Sequence, residues 1–296
     1  MDSAKLINLI LTGDIFLEME NYKENLIKYF SSLIELETGI QYDESNKYLL
    51  LTRIQNLLKI LNLSSIDALW NEIQANGLNL TTKSLILDLA TNNETSFFRD
   101  PYVFEFFKTE YVTKIMANAN KIRIWCAATS TGQEPYSIAI IMSELKNNGI
   151  NKSYEILATD ISDRVLKQAE SGIFSQLEIQ RGLSSEYLKK YFTEISLDEN
   201  SVPSYKIKSE LSAFITFKQL NLLSPWPAFE NFDIIFCRNV LIYQSLENKK
   251  NVISRFAKLL NRNGYLILGG AESLLQLSND FDLENYSNIS VNKLKN

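Results

Sequence analysis

Apolar positions recur along this chain with two different spacings, and the change between them falls near residue 120. Over residues 48–61, Leu50, Leu51, Ile54, Leu57, Leu58 and Leu61 follow helical spacing, and Thr52, Gln55, Asn56 and Lys59 form the opposite stripe. Side chains three and four apart share one helix face, so the pattern predicts an amphipathic helix packed on one side. Ser64 or Ser65 can cap a following helix that runs toward Glu72, and Gly77 suits its end, where a left-handed residue closes the last turn. No β-type alternation of useful length occurs before residue 90, and residues 1–90 are expected to form a small all-α domain.

Beyond residue 120, short β-rich runs alternate with helical ones. The runs at 121–127, 154–159, 214–218, 232–237 and 265–268 read as strands, and those at 135–145, 163–171 and 247–260 as helices. Such alternation is the mark of a parallel sheet with crossover helices, so residues 121–296 are expected to form a doubly wound α/β domain. Asn263-Gly264 marks a turn into the last of these strands. The long polar stretch at about 174–212, with Asp198-Glu199-Asn200-Ser201 and Pro203, breaks the alternation. A compact domain seldom carries a structureless connection of that length, so a small inserted subdomain is expected there. Residues 91–120 are left as an interdomain linker segment.

Composition narrows the chemistry. At 296 residues, 45% hydrophobic and 22% charged, the chain is ordinary globular material with room for two domains. No apolar run reaches the length of a membrane span, and Asp2, Asp14, Glu18 and Glu20 interrupt any signal-like start, so a cytoplasmic protein without membrane insertion is expected. Cys126 and Cys237 lie in apolar strand-like runs and read as buried free thiols. The chain has no histidine, which removes Ser-His-Asp hydrolysis, Cys-His chemistry and histidine-ligated metal. Displacement of a methyl group by an already ionised carboxylate needs none. Residues 1–90 hold seven Lys or Arg against twelve Asp or Glu, and residues 91–296 hold 23 of each, so neither part has the basic excess of a nucleic-acid binder.

Four segments carry candidate chemistry. In Trp125-Cys126-Ala127-Ala128-Thr129-Ser130-Thr131-Gly132-Gln133-Glu134-Pro135, a strand runs through small residues into a helix beginning at Pro135. That is the crevice where open parallel sheets bind nucleotide-like cofactors, although a tight structural turn reads the same way. The run Ile156-Leu157-Ala158-Thr159-Asp160 places a carboxylate at the end of the next strand, where it can accept ribose hydroxyls or simply cap the following helix. The buried run from Phe232 ends in Arg238-Asn239, and a buried arginine needs an anion: the cofactor carboxylate, the substrate carboxylate or an acidic side chain. Asn93-Glu94-Thr95-Ser96-Phe97-Phe98-Arg99-Asp100-Pro101 reads as an ordered strap whose arginine reaches the cleft, or as plain packing.

Together, in this order and at these separations, the segments resemble the CheR-type chemotaxis protein-glutamate O-methyltransferase family. The resemblance runs over about residues 20–290 and includes Gly172-Ile173-Phe174, Asn221-Leu222 and Cys237-Arg238-Asn239-Val240-Leu241-Ile242-Tyr243. It implies an all-α N-terminal domain and a class I, Rossmann-like methyltransferase domain of the α/β class with a small inserted β-subdomain. It further implies S-adenosylmethionine as donor, S-adenosylhomocysteine as product, and glutamate side chains of chemoreceptor cytoplasmic domains as acceptors. A response regulator or other chemotaxis proteins are further partners it suggests. Carried over by position, Asn93, Thr95, Arg99, Glu134, Asp160, Asn221, Leu222, Arg238 and Asn239 line the cofactor site, and Arg99 and Tyr243 face the transferred methyl. The same fold with another acceptor, or a module that senses the donor without turnover, are the competing readings.

Two departures stand out. A Gly-His-Ser-Glu-like stretch usual in the family is Gly269-Gly270-Ala271-Glu272 here. Where the family often presents a basic helix to acidic receptor helices, the stripe at Thr52, Gln55, Asn56 and Lys59 has one charge. The long insert favours recognition that does not depend on a receptor tail peptide.

Overall fold

A computed structural model describes residues 18–195 and 202–296. Asp2 and Asp14 at the start, and the polar run Asp198-Glu199-Asn200-Ser201, lie outside the described residues. The chain divides into two compact units, Met1–Thr91 and Asn92–Asn296.

The first unit is helical: α1 (Glu18–Thr38), α2 (Lys47–Leu61), α3 (Ile66–Asn76) and α4 (Leu80–Ala90). The stripe on α2 does what its spacing requires, burying Leu50, Ile54 and Leu57 against Leu26, Phe30 and Ile34 of α1 and Leu69, Trp70 and Ile86. Each such side chain contributes about 1.5–3 kcal/mol of transfer free energy. Ser65 caps α3 by accepting the Ala68 N–H at 3.1 Å, and Gly77 follows its last turn at φ 73°. Asn79 caps α4 through the Thr82 N–H, and Lys83 pairs with Glu37 at 2.6 Å to tie α4 to α1.

The second unit opens with α5 (Pro101–Phe106), which continues as a π-helix over Phe107–Ile115. Then come β1 (Lys121–Ala127), α6 (Gln133–Asn147), β2 (Ser153–Asp160) and α7 (Asp163–Ser171). After an insert the order resumes with β6 (Ile215–Gln219), β7 (Phe232–Cys237), α11 (Leu246–Leu259), β8 (Leu260–Leu268), β9 (Phe281–Tyr286) and β10 (Ile289–Leu294). The sheet order is β6-β2-β1-β7-β8-β10-β9, with β10 antiparallel to both its neighbours and the other pairs parallel.

Strand alternation sends β1 side chains to opposite faces. Ile122, Ile124 and Cys126 join a core with Phe107, Tyr111, Ile138 and Ile141, while Trp125 and Ala127 join a second core with Val252, Ile253 and Phe256 of α11. Both faces of the sheet are therefore covered. Of the 91–120 segment expected to be a linker, residues 92–115 are built into this unit, with Phe97, Val103, Phe104, Phe106, Phe107 and Tyr111 buried in its first core. Cys126 and Cys237 are buried and free. Asn263, at φ 59°, falls inside β8, where the pairing with β7 is irregular. The β9–β10 hairpin had no expectation behind it.

The insert between α7 and β6 is a three-stranded antiparallel sheet in the order β3-β5-β4, from β3 (Ile173–Ser175), β4 (Phe192–Ile195) and β5 (Ser204–Ile207). Three short helices accompany it: α8 (Gln176–Gln180), α9 (Ser185–Tyr191) and α10 (Ser209–Ser212). Phe174, Phe192 and Ile207 anchor this sheet in the first core. Among the described residues no helix is long and apolar enough to cross a membrane.

Candidate active site

The sheet reverses its order at β1: β2 and β6 extend to one side, β7 and β8 to the other. Loops leaving the carboxyl ends of diverging strands cannot cover one another, so a crevice opens there. Backbone strain gathers around it. Ala128, Ser130, Phe98, Asp100 and Asn239 all have φ between 51° and 60°, where a side chain costs of order 1–3 kcal/mol.

The loop after β1 is held by its neighbours. Thr129 N–H donates to the Thr159 carbonyl at 2.8 Å, Ser130 N–H to Asp160 Oδ2 at 2.8 Å, and the Ser130 hydroxyl to the Asn93 carbonyl at 2.7 Å. At Gly132, φ is 95° and an added Cβ would lie 2.9 Å from Ala169 Cβ. The loop therefore packs against α7 with no space for a side chain. Asp160 also accepts the Ser162 N–H at 3.0 Å, so its two oxygens brace both the first crevice loop and the start of α7. Its carbonyl accepts the Leu220 N–H at 2.9 Å, which joins the ends of β2 and β6. Beyond β6, Asn221 folds the chain into a turn by accepting the Leu223 N–H through Oδ1 at 2.9 Å, and Leu222 sits at its tip.

Of the anions the sequence offered Arg238, the structure holds acidic side chains. The guanidinium, 3% exposed, donates to Glu134 Oε2 at 2.9 Å, to Asp100 Oδ2 at 2.6 Å and to the Arg99 carbonyl at 2.7 Å. Burial would lower its pKa, but the two carboxylates outweigh burial and raise it, so the charge is permanent. Arg238 thus clamps the 93–100 strap onto the start of α6.

Glu272 does the same for the turn after β7. Oε2 accepts the N–H groups of Asn239 and Gly269 at 2.7 Å each, and Oε1 accepts those of Val240 at 2.9 Å, Leu241 at 2.7 Å and Ile242 at 3.3 Å. A carboxylate is the one side chain able to accept so many converging donors. The turn delivers Tyr243, 40% exposed, whose hydroxyl accepts from Asn92 Nδ2 at 3.0 Å.

The strap itself is anchored by Phe97, buried edge-on to Phe174 and Phe192 with centroids 4.9 and 5.6 Å away, and by the Phe98 N–H donating to Ser137 at 3.0 Å. Arg99 donates to the Glu94 carbonyl at 3.0 Å, and no carboxylate pairs with it among the described residues. Glu94 in turn pairs with Arg181 of the insert at 2.8 Å. The predicted residues thus form linked groups: Arg99, Glu134 and Arg238 through the clamp, Asn93 and Asp160 through Ser130, and Asn239 and Tyr243 through the Glu272-held turn. Asn221 and Leu222 follow Leu220, whose N–H is bound to the Asp160 carbonyl, and Thr95, half-buried, lies in the strap. Asp100, Ser130 and Glu272 were missed as site formers. Asp100 carried a faint signal in standing before Pro101; for Glu272 there was only its place in the altered Gly269-Gly270-Ala271-Glu272 stretch.

This strand order, with one antiparallel strand slipped between the last two, and a crevice lined this way define a class I methyltransferase. The comparisons agree. A family profile described as CheR methyltransferase, SAM binding domain, matches residues 93–289, and one described as CheR methyltransferase, all-alpha domain, matches residues 19–86. A chemotaxis protein methyltransferase of Vibrio parahaemolyticus is 36% identical over 268 residues, covering 90% of this chain and 95% of that one. Chemotaxis protein methyltransferase 1 of Pseudomonas aeruginosa is 34% identical, covering 86% and 92%, and the Salmonella typhimurium chemotaxis protein methyltransferase is 30% identical, covering 89% and 88%. The chain belongs to the CheR methyltransferase family, and it is an S-adenosylmethionine-dependent methyltransferase.

The residues fit that donor. Among the described residues five buried side-chain polar atoms have no hydrogen-bond partner, and three of them, Thr129 Oγ1, Arg238 Nε and Asn239 Oδ1, lie in the two loops that border the crevice. Buried polar atoms are normally satisfied, so a polar ligand is the expected complement.

Proposed function

We propose that this protein methylates glutamate side chains on the cytoplasmic domains of chemoreceptors, forming glutamyl methyl esters in the cytoplasm. The observation that carries the reading is the convergence of the strap, the β1 loop and the Arg238–Tyr243 turn at one crevice in a chain with no histidine. When bound, S-adenosylmethionine supplies a methyl group activated by the positive sulfonium. A glutamate acceptor, with a reference pKa of about 4.3, arrives ionised and needs no general base.

What the chain contributes is placement. Asp160 and Glu134 hold polar parts of the donor, and Asn93, Thr95, Asn221, Leu222, Arg238 and Asn239 line the remainder. Arg99 fixes the acceptor carboxylate beside Tyr243, without a tight ion pair that would blunt its nucleophilicity. Orientation of this kind supplies about 7–11 kcal/mol of the barrier. The relatives named as chemotaxis methyltransferases support chemoreceptors as the acceptor class.

Incubation with labelled S-adenosylmethionine and receptor-containing membranes tests the proposal. Base-labile label on the receptor supports it; label on a soluble acceptor, or donor binding with no transfer, overturns it. Asp160→Ala is expected to weaken donor binding and Arg99→Ala to lower turnover, both relative to a remote surface change.

A further inference from the structure

Outside the four segments that carry candidate chemistry, Arg255 of α11 carries an unusual load. Its guanidinium lies 3.7 Å from the ring centroid of Trp226 and donates to the Leu222 carbonyl at 2.8 Å and the Ser224 carbonyl at 2.6 Å. No carboxylate pairs with it among the described residues. Trp226 Nε1 donates to the same Leu222 carbonyl at 3.2 Å, and the indole packs edge-on against Trp125 of β1, centroids 5.1 Å apart. Two donors on one carbonyl leave the peptide group beyond it a single orientation. The Asn221–Leu222 tip is thus set by α11 and by the second core.

The topology says which part of the donor this tip meets. An acidic residue at the end of the second strand reads ribose hydroxyls, and Asp160 has that position. β6 lies on the far side of β2 from β1, so the turn leaving β6 borders the base beyond the ribose. We infer that Arg255 is a positioning residue for the adenosine end of S-adenosylmethionine, acting through the Leu222 and Ser224 carbonyls. The inference rests on the site assignment proposed above.

Calorimetric titration with S-adenosylhomocysteine and with adenosine, beside turnover on receptor membranes, separates the two. Arg255→Ala is expected to weaken both ligands tenfold or more and to raise KM for S-adenosylmethionine by the same factor, with kcat at saturating donor within about twofold of wild type. Arg255→Lys keeps the charge but lacks the planar fork and the stack, so it is expected to recover less than half of the loss on a logarithmic scale. Trp226→Phe keeps a ring and removes one donor; it is expected to weaken binding about threefold, and with Arg255→Lys it carries the test should Arg255→Ala not fold. Unchanged affinity in the folded variants, full rescue by lysine, or a fall in kcat at constant KM would each overturn the inference. Failure of the wild-type protein to bind S-adenosylhomocysteine would remove the site assignment itself.

Discussion

Arg238→Met separates two roles that the arginine could have. The clamp predicts that the variant loses stability with no donor present, because Glu134 and Asp100 are left facing a thioether. Breaking a buried ion pair by deleting one partner costs about 3–5 kcal/mol. The Glu134 side chain is 12% exposed and dominates, while Asp100 at 31% is partly screened and adds less. At about 2–4 °C per kcal/mol for a unit of this size, the transition of the Asn92–Asn296 unit should fall by roughly 6–20 °C. Scanning calorimetry of the donor-free full chain measures it. Adding Glu134→Gln and Asp100→Asn to the same background should recover most of the loss, since the uncompensated charges are then gone. A variant that melts within about 2 °C of wild type but no longer binds S-adenosylhomocysteine would refute the clamp and leave Arg238 with its donor-lining role alone.

Glu272→Gln retains the shape but sets an amide NH2 against backbone donors; with hydrogen bonds to a charged group worth about 1.5–3 kcal/mol, a loss of about 2–4 kcal/mol and at least a tenfold fall in turnover are expected, read by urea unfolding and steady-state kinetics. Gly182→Ala should destabilise by about 3 kcal/mol or more in the same unfolding assay, because its Cβ would collide with the Phe97 carbonyl where the insert meets the strap. Burial, reinforced by Glu134 beside Cys126 and by Glu272 and Glu134 near Cys237, pushes both thiols up from an ordinary value near 9.0. The unfolded chain therefore sheds thiol protons that the folded chain keeps. Stability intact below about pH 9 should fall as pH rises above it, and Cys126→Ala should flatten that slope in calorimetry across pH 8–10.5.

The amino-acid pattern alone determined the two-part organisation, α2 and α3 with the Ser65 cap and Gly77 stop, and β1, α7 and β7 to the residue. These depend on neighbours a few positions away: apolar spacing, capping side chains, and apolar runs buried on both faces of a sheet. Asp160 at a strand end and Asn93 through Arg99 as an ordered strap were legible for the same reason. The β9–β10 hairpin was not, since its strands alternate poorly between exposed and buried positions. Nor was the role of residues 92–115, whose aromatics take their place only once the sheet exists to pack against. The carboxylate partners of Arg238 sit 104 and 138 positions away, the Asn239–Ile242 donors to Glu272 30 to 33, and the partners of Arg255 31 and 33. Local sequence encodes that a buried charge must be matched, but the choice among chemically equal candidates is made by the chain path, which brings distant carboxylates and carbonyls within 3 Å.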